Sequence, residues 1–304
     1  MSDPAAGAVR IQAGELAAEF LPGRGMLGAS LTHRGEQLLR RIGDLDAAAA
    51  KGSTAGIPLL HPWANRLAGL TYRAAGRAIT LDPASPMLHF DGSGLPIHGV
   101  PWSKLSWSVT AQRADAVAAQ LSWDRPELLA VFPFPHRLTL KAEVGEDALT
   151  IGLTLDAGIE GPVPVAFGFH PYLGLPGAPR DAWRLELPEM RRLALDARGI
   201  PTGAASPFGP FAGPLGGSAW DDGFAVESRA AFAISGGGRR IEVAFLEDFP
   251  FAQIYSPQGS DFVAIEPMAA PANALASGRN LTLVEPGARI RALFRIRVED
   301  LPGR

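Results

Sequence analysis

The chain has 304 residues, of which 47% are hydrophobic, and its formal net charge at pH 7 is −3. Such a chain can bury a large core, whereas its charge supplies no basic field for nucleic acid or an anionic membrane. It contains no cysteine, which excludes disulfide bonds and thiolate chemistry. No stretch approaches the roughly 18 consecutive apolar residues of a membrane span, and the N-terminus lacks a secretory signal pattern. We therefore expect a soluble, cytoplasmic protein without nucleic-acid or membrane partners.

The first predicted element is a short helix, and strands follow it. Residues 44–51, DLDAAAAK, predict one short helix, and no other stretch keeps a period of 3.6. Apolar and polar residues alternate in LSWSV (105–109) and VAAQLSW (117–123). This period of two is typical of strands with one buried face.

The clearest predicted unit is an antiparallel hairpin. HRLTLKAEV (136–144) and LTIGLTLDA (149–157) both alternate between apolar and polar residues. The residues GED between them supply the turn. The two segments therefore predict paired strands with one buried face.

The last third of the chain begins with a predicted loop. Residues 199–220, GIPTGAASPFGPFAGPLGGSAW, are rich in glycine and proline and predict a long loop at a rim or lid. Alternation returns in IEVAF (241–245) and RIRALFRIRV (289–298). The arginines of the last segment indicate a wetted outer strand rather than a phosphate site.

Turn-forming residues are spread over the whole chain, with 35 glycines and 27 prolines. Many short strands joined by such turns predict an all-β protein, a large antiparallel sandwich with few short helices. No segment has the composition of a linker, and no internal repeat is found. We therefore predict one domain over residues 1–304.

The motifs of common cofactor and metal sites are missing from the sequence. There is no phosphate-binding P-loop, no dinucleotide fingerprint and no nucleophile elbow. The six histidines form no closely spaced pair, so a metal site would need distant ligands to converge. We predict neither a cofactor nor a metal.

Several polar residues are embedded in apolar or turn-forming segments, which is unusual for such groups. They are Asn65, Arg66, His98, His170, Asp221, Asp222 and Glu266. Glu266 follows the apolar run 262–265 and precedes a proline, which predicts a carboxylate at the end of a strand, where a pocket opens. For His170 alone, a proton donor at a pocket mouth and a hydrogen-bonded core histidine fit the local sequence equally well.

Taken in order, these segments resemble the aldose 1-epimerases, or galactose mutarotases. The resemblance runs from Asn-Arg (65–66) through His-Gly (98–99) and His-Pro-Tyr (170–172) to Ile-Glu-Pro-Met (265–268). It implies a many-stranded antiparallel supersandwich. Of the site residues, it implies that His170 is the general acid and Glu266 the general base.

The resemblance also implies the remaining site residues. Arg66 and His98 would hold sugar oxygens and assist the acid, with Asn65 beside them, and Asp221 would bind sugar hydroxyls. Trp63 and Trp102 flank the motifs and could stack on a pyranose, as could Tyr172, although aromatic residues near motifs are more often plain packing.

The implied reaction explains why a histidine and a carboxylate are needed. Interconverting the anomers of an aldose removes a proton from the C1 hydroxyl and adds one to the ring oxygen, and rotation about C1–C2 precedes reclosure. A carboxylate, charged at neutral pH, can accept the proton, and an imidazole can donate if a neighbouring charge keeps it protonated. We expect Glu266 and His170 to meet on opposite edges of one bound pyranose ring, without a cofactor.

Structural roles remain open for the same residues. Glu266 could pair with an arginine such as Arg279, and Arg66 could belong to a structural ion pair. Asp221 and Asp222 could exchange roles. The remaining histidines of the middle of the chain are interpreted as structural or surface residues; these are His61, His89 and His136.

The sequence restricts the identity of the substrate less than it restricts the type of reaction. The galactose branch commonly has a second glycine after His-Gly, whereas this chain has HGVPW (98–102). A sugar-phosphate branch would need several basic residues, of which only Arg66 is clearly placed at the site. A free aldose is therefore preferred as the substrate over a hexose 6-phosphate. The protein itself is expected to be a monomer or homodimer. A non-catalytic sugar-binding protein and a glycan lyase or hydrolase are the rival classes.

Overall fold

The computed structural model describes residues 7–41, 43–227 and 229–302. Within them the chain forms 25 strands and three short α-helices. The strands of the first half are β1 (Val9–Ala13), β2 (Leu16–Leu21), β3 (Leu27–His33), β4 (Glu36–Gln37), β5 (Leu59–Leu60), β6 (Thr71–Ala74), β7 (Arg77–Thr80), β8 (Ser108–Gln112), β9 (Ala116–Trp123), β10 (His136–Val144) and β11 (Ala148–Ala157). Those of the second half are β12 (Val163–Val165), β13 (Gly168–Phe169), β14 (Tyr172–Leu173), β15 (Arg184–Leu187), β16 (Met190–Leu195), β17 (Pro201–Phe208), β18 (Phe211–Pro214), β19 (Trp220–Ala225), β20 (Ala231–Gly236), β21 (Arg239–Glu247), β22 (Phe251–Ser256), β23 (Val263–Met268), β24 (Thr282–Val284) and β25 (Arg289–Asp300). The helices are α1 (Leu45–Ala50), α2 (Pro126–Val131) and α3 (Ala274–Ser277).

Two large antiparallel sheets contain most of the strands. The nine-stranded sheet has the order β18-β15-β20-β21-β25-β11-β10-β9-β8. The eight-stranded sheet has the order β17-β16-β19-β22-β23-β13-β5, with β14 paired to β23. Buried side chains of both sheets belong to one hydrophobic core cluster. The predicted all-β sandwich with few short helices is confirmed.

The predicted hairpin is present as β10 and β11. The two strands pair in antiparallel register, with Leu138 opposite Leu155 and Leu140 opposite Leu153. All four of these leucines are almost completely buried. The alternation therefore identified both the pairing and the buried face.

The predicted helix is also present, as α1. The Asp44 side chain caps it by accepting hydrogen bonds from the backbone N–H groups of Asp46 and Ala47, at 3.0 and 2.9 Å. The predicted strand at 105–109 is shifted toward the C-terminus: β8 begins at Ser108, and Leu105 and Trp107 are buried in the segment before it.

The prediction of a loop over residues 199–220 is wrong. Most of this segment forms β17 and β18, which lie at outer edges of the eight- and nine-stranded sheets, respectively. An edge strand has one unpaired side, so it tolerates proline, and β17 is largely exposed and needs no buried alternation. Composition alone therefore suggested a loop where an edge strand exists.

One face of the C-terminal strand β25 is exposed to solvent, as predicted. The prediction of an outer strand is wrong, because β25 lies in the middle of the nine-stranded sheet, between β21 and β11. Its apolar side chains on one face are buried; they are Ala292, Phe294, Ile296 and Val298. On the other face, Arg289 and Arg297 make ion pairs with Asp156 and Asp147, at 3.0 and 3.1 Å.

The eight-stranded sheet presents a second face, opposite to the main core. Along β23, Val263 and Ile265 belong to the main core cluster, whereas Ala264 and Met268 belong to small clusters of their own. Because side chains alternate along a strand, Glu266 lies on the face of Ala264 and Met268.

Among the helices of the described residues, none has the length and apolar composition that a membrane span needs.

Candidate active site

A cleft of about 850 Å³ lies on this second face. Of the residues that the sequence predicted for the site, those that line the cleft are Asn65, Arg66, His98, His170, Tyr172, Asp221 and Glu266. They come from segments far apart in sequence, which the antiparallel sheet and its loops bring together. The structure thus places most of the predicted polar set around one cavity.

His170 and Glu266 are in direct contact at the cleft. Nε2 of His170 lies 3.1 Å from Oε1 of Glu266, and the two residues are only 3% and 2% exposed. The expectation that they lie on opposite edges of a pyranose ring is therefore wrong. The two oxygens that exchange protons are bonded to the same carbon, C1, so an acid and a base that serve them must converge rather than stand apart.

Local pairing explains how the two groups meet. His170 follows β13, whose Gly168 pairs with Met268 of β23. A Cβ atom on Gly168 would lie 2.8 Å from the carbonyl oxygen of Pro267, so the glycine permits this close approach. The His-Pro segment is therefore carried directly over the strand that holds Glu266.

Burial is the main electrostatic influence on this pair. It raises the pKa of Glu266 well above its usual range, which Asp221 reinforces and Arg66 opposes. It lowers the pKa of His170 well below its usual range, and His98 adds to this effect. Both shifts disfavour isolated charges, so the direct contact favours one proton held between the two groups over a free carboxylate. This direction differs from the sequence expectation of a carboxylate that is charged at neutral pH.

Asn65 and His98 are held against each other by their backbones. The N–H of His98 donates to the carbonyl of Asn65 at 2.9 Å, and the N–H of Asn65 donates to Nδ1 of His98 at 3.3 Å. Both have positive φ angles, 56° and 62°, a conformation that is uncommon for histidine. Burial, with Arg66 and His89, lowers the pKa of His98 to about 3. His98 is therefore neutral, accepts at Nδ1 and carries its proton on Nε2.

Arg66 is fixed by two neighbours. Its Nε donates to Oδ2 of Asp91 at 2.6 Å, and its Nη1 donates to Oδ1 of Asn65 at 3.2 Å. The ion pair that the sequence left open is thus present, with Asp91 as the partner, and Arg66 still lines the cleft. Arg279 does not reach Glu266; its Nη1 donates to the carbonyl of Thr202.

The two neighbouring aspartates have different surroundings. Asp221 lines the cleft and accepts a hydrogen bond from Nε2 of Gln253 at 2.7 Å. Asp222 accepts from Nε of Arg192 at 2.9 Å. Because β19 is extended, consecutive side chains point to opposite faces of the sheet, and only Asp221 is directed toward the cleft.

Gln253 was not identified from the sequence. It is 5% exposed on β22 and lies opposite Glu266 of β23 in the strand register. The only sequence signal is a polar residue inside the apolar strand segment FAQIY, and the segment alone does not reveal that its neighbour across the sheet is Glu266.

The two predicted stacking tryptophans do not line the cleft. Trp63 is 1% exposed and packs against Tyr72 in the main core. Trp102 is 4% exposed and its Nε1 donates to the carbonyl of Ser53 at 3.3 Å. Both indole rings are used for packing, so these two placements in the substrate site are wrong.

The other three histidines in the middle of the chain, which the sequence suggested to be structural or surface residues, divide into a buried pair and a cleft residue. Nε2 of His61 lies 3.0 Å from Nε2 of His136, and burial lowers the pKa of both. This pair is part of the core. His89, in contrast, lines the cleft and is only partly buried.

Comparisons with known proteins agree with the fold and with the family resemblance of the sequence. Residues 27–297 match the aldose 1-epimerase family. The uncharacterized protein YihR of Escherichia coli K12 is 26% identical over 262 residues, which cover 79% of this chain and 80% of that protein.

Two solved structures show the same fold. A galactose mutarotase-like protein from Clostridium acetobutylicum superposes with a TM-score of 0.84 at 17% identity, covering 97% of this chain and 95% of that one. The GalM/aldose epimerase homologue from C. elegans has a TM-score of 0.80 at 18% identity, covering 97% and 99%. From the match over most of its length, this chain belongs to the aldose 1-epimerase family.

Proposed function

We propose that this protein is a mutarotase that interconverts the α and β anomers of a free aldose, and that one domain carries the activity. The observation that supports this most is the buried contact between Nε2 of His170 and Oε1 of Glu266 at 3.1 Å, inside a cleft. A histidine and a carboxyl group that share a proton can give one proton and take another at the same carbon. A protein that only bound sugar would not need both.

In each direction of the proposed reaction, the pair of His170 and Glu266 takes up one proton and gives up one proton. Glu266 takes the proton of the C1 hydroxyl while His170 gives its proton to the ring oxygen. The bond between C1 and the ring oxygen breaks, and C1 becomes an aldehyde carbon. After rotation about C1–C2 the two groups exchange roles and the ring closes. The proton count of the pair is unchanged over the cycle.

The other cleft residues fit the recognition of a neutral sugar. As a neutral donor, His98 can direct Nε2–H to a sugar oxygen, and Asp221 can accept from hydroxyl groups. Among the lining residues described, the arginines and lysines are Arg40 and Arg66. Arg66 is paired with Asp91 at 2.6 Å, and Arg40 lies 3.8 Å from Asp261. Arg66 is thus already engaged, and an exposed Arg40 alone is fewer cations than a phosphate site would gather, so a free aldose is preferred over a sugar phosphate.

The experiment that tests this function is polarimetry of freshly dissolved sugars. The purified protein should accelerate the approach of at least one free aldose to its anomeric equilibrium, and should act less well on the matching 6-phosphate. A panel of hexoses and pentoses, each with its phosphate where one exists, would identify the substrate. If sugars bind in calorimetry but none anomerises faster than in buffer, the protein is a binding protein and the proposal is wrong.

The pH dependence of kcat/KM is expected to show no limb near 6.5. Because burial raises the pKa of Glu266 above 4.5 and lowers that of His170 below 6.5, the pair gains a second proton only in more acidic solution. If the proton is shared as proposed, the pair loses it only in more alkaline solution. The active form therefore spans neutral pH, with a flat profile there. A limb centred near 6.5, measured by polarimetry within the pH range where the protein stays folded, would contradict the shared proton.

A further inference from the structure

The orientation of the His170 ring has an unusual basis. Catalytic histidines are commonly oriented by a hydrogen bond from the ring nitrogen that does not face the substrate. Here Nε2 faces Glu266 at 3.1 Å, and Nδ1 is buried without a hydrogen-bond partner on another residue among those described. Besides its contact with Glu266, the ring has a stacked contact that can restrain its rotation.

That contact is with Tyr172, two residues further along the chain. The two rings stack with centroids 4.0 Å apart and an interplanar angle of 13°. The tyrosine ring is anchored in turn: its hydroxyl is hydrogen-bonded to the hydroxyl of Thr54, and its edge packs against Phe262, with centroids 4.9 Å apart.

The backbone of Tyr172 is equally constrained. Its N–H donates to the carbonyl of Gly56 at 2.9 Å, and its carbonyl accepts from the N–H of Arg40 at 2.9 Å. In β14 it pairs with Ala264, two residues before Glu266. The tyrosine ring thus has a fixed position relative to the strand that holds the carboxyl group.

We propose that Tyr172 is a positioning residue, whose ring, anchored through Thr54, holds the imidazole of His170 in line with Glu266 and the sugar. The inference depends on the proposed function for its kinetic meaning. Tyr172 is 6% exposed, and one face of its ring is covered by His170. It is therefore poorly placed to stack on a pyranose, although the sequence left that role open.

The stack also favours the form of His170 that donates a proton. The face of an aromatic ring is negative and attracts a cation. Burial raises the pKa of Tyr172, so the ring stays a neutral phenol that can keep its bond to Thr54. The titratable groups whose rings or carboxyl group face His170 are Glu266, His98, Tyr172 and Tyr255.

Replacing Tyr172 by leucine tests this role most directly. The Tyr172→Leu variant is expected to lose about 10- to 100-fold in kcat, since small misplacements of a catalytic group are costly. KM should change little, because a residue that acts only through His170 does not bind the sugar. In NMR titrations, the His170 imidazole should gain its proton at a lower pH than in the wild type, because the ring face that favours the cation is lost.

Two milder variants examine the anchor and keep the ring. Tyr172→Phe and Thr54→Val each remove one end of the same hydrogen bond, so each should lower kcat severalfold, and the double variant should be no worse than either. Tyr72→Phe is the matched control. The Tyr72 hydroxyl donates to the carbonyl of Val131 at 2.7 Å in the core, away from the cleft. That variant should be less stable but kinetically unchanged.

Each outcome decides the inference. Unchanged kcat in Tyr172→Leu, a loss confined to KM, or an unchanged His170 titration would overturn it. If Tyr172→Leu fails to fold, the two hydroxyl variants decide: strictly additive losses would overturn the anchor. If the wild type anomerises no sugar, the function is wrong, and the NMR titration still reports whether Tyr172 controls His170.

Discussion

Replacing Glu266 by glutamine is expected to lower kcat/KM for anomerisation by about a thousandfold, within the range that one positioned acid or base contributes. Glutamine has almost the same shape and can still accept a hydrogen bond from Nε2 of His170, but it cannot take the C1 proton. Polarimetry on the substrate identified from the sugar panel measures the loss. Asp222→Asn is the matched control, since Asp222 pairs with Arg192 on the other face of the sheet, and its kinetics should match the wild type.

The same variant has a separate signature in stability. Because the pKa of Glu266 is raised in the folded protein, its contribution to the free energy of unfolding is full below the unfolded pKa, 4.5, and is lost as the pH rises through the folded value. Glu266→Gln has no such proton. The melting temperature of the variant minus that of the wild type should therefore increase as the pH rises from mildly acidic to alkaline. Wild-type kcat/KM, or a melting difference that does not change with pH, would contradict the role of Glu266.

The strands that the sequence predicted well share a physical cause. In β10, β11 and β25 one face is buried in the core, so the period of two appears directly in the amino acids. The segment 199–220 failed because edge strands such as β17 bury almost nothing. Hydrophobic patterning reports burial, and an unburied strand leaves no such pattern.

The site was predictable in its membership but not in its geometry. The motifs made His170 and Glu266 candidates, because an ionisable residue in an apolar segment is conspicuous and their order resembles that of the family. Their direct contact depends on the pairing of β13 with β23, which no local pattern specifies. For the same reason the sequence missed Gln253.

The period of two could have separated Asp221 from Asp222. Phe224 is completely buried in the main core, and Asp222 shares its parity along β19. Asp221 is therefore on the opposite face, with Gly223, which pairs with Gln253. To choose between the faces, one must know that the cleft lies opposite to the core. The packing of the whole sheet determines this, and the sequence of one strand does not show it.

The wrong placement of Trp63 and Trp102 in the substrate site has a different cause. Both flank site motifs, and proximity in sequence suggested proximity to the sugar. The chain instead turns sharply at Gly99, where a Cβ atom would lie 2.3 Å from the carbonyl oxygen of His61. His98 thus lines the cleft while Trp102 is packed beneath it.

The acid and the base are expected to act as one unit, which the His170→Ala variant tests. Alone it should lower kcat/KM by about 100- to 10,000-fold, because the ring oxygen loses its proton donor. Once the imidazole is gone, Glu266 also loses the partner at 3.1 Å with which it shares a proton. The carboxyl group then remains protonated in its buried site and cannot act as a base.

The double variant His170→Ala/Glu266→Gln should therefore be no slower than the slower single variant, since residues that act together show strongly non-additive losses. Polarimetry of all four proteins on one aldose gives the cycle, and circular dichroism checks that each stays folded. If the double variant showed the product of the two single losses, each group would act independently. In that case the 3.1 Å contact would be a feature of packing rather than the means by which one proton is passed between two oxygens on the same carbon.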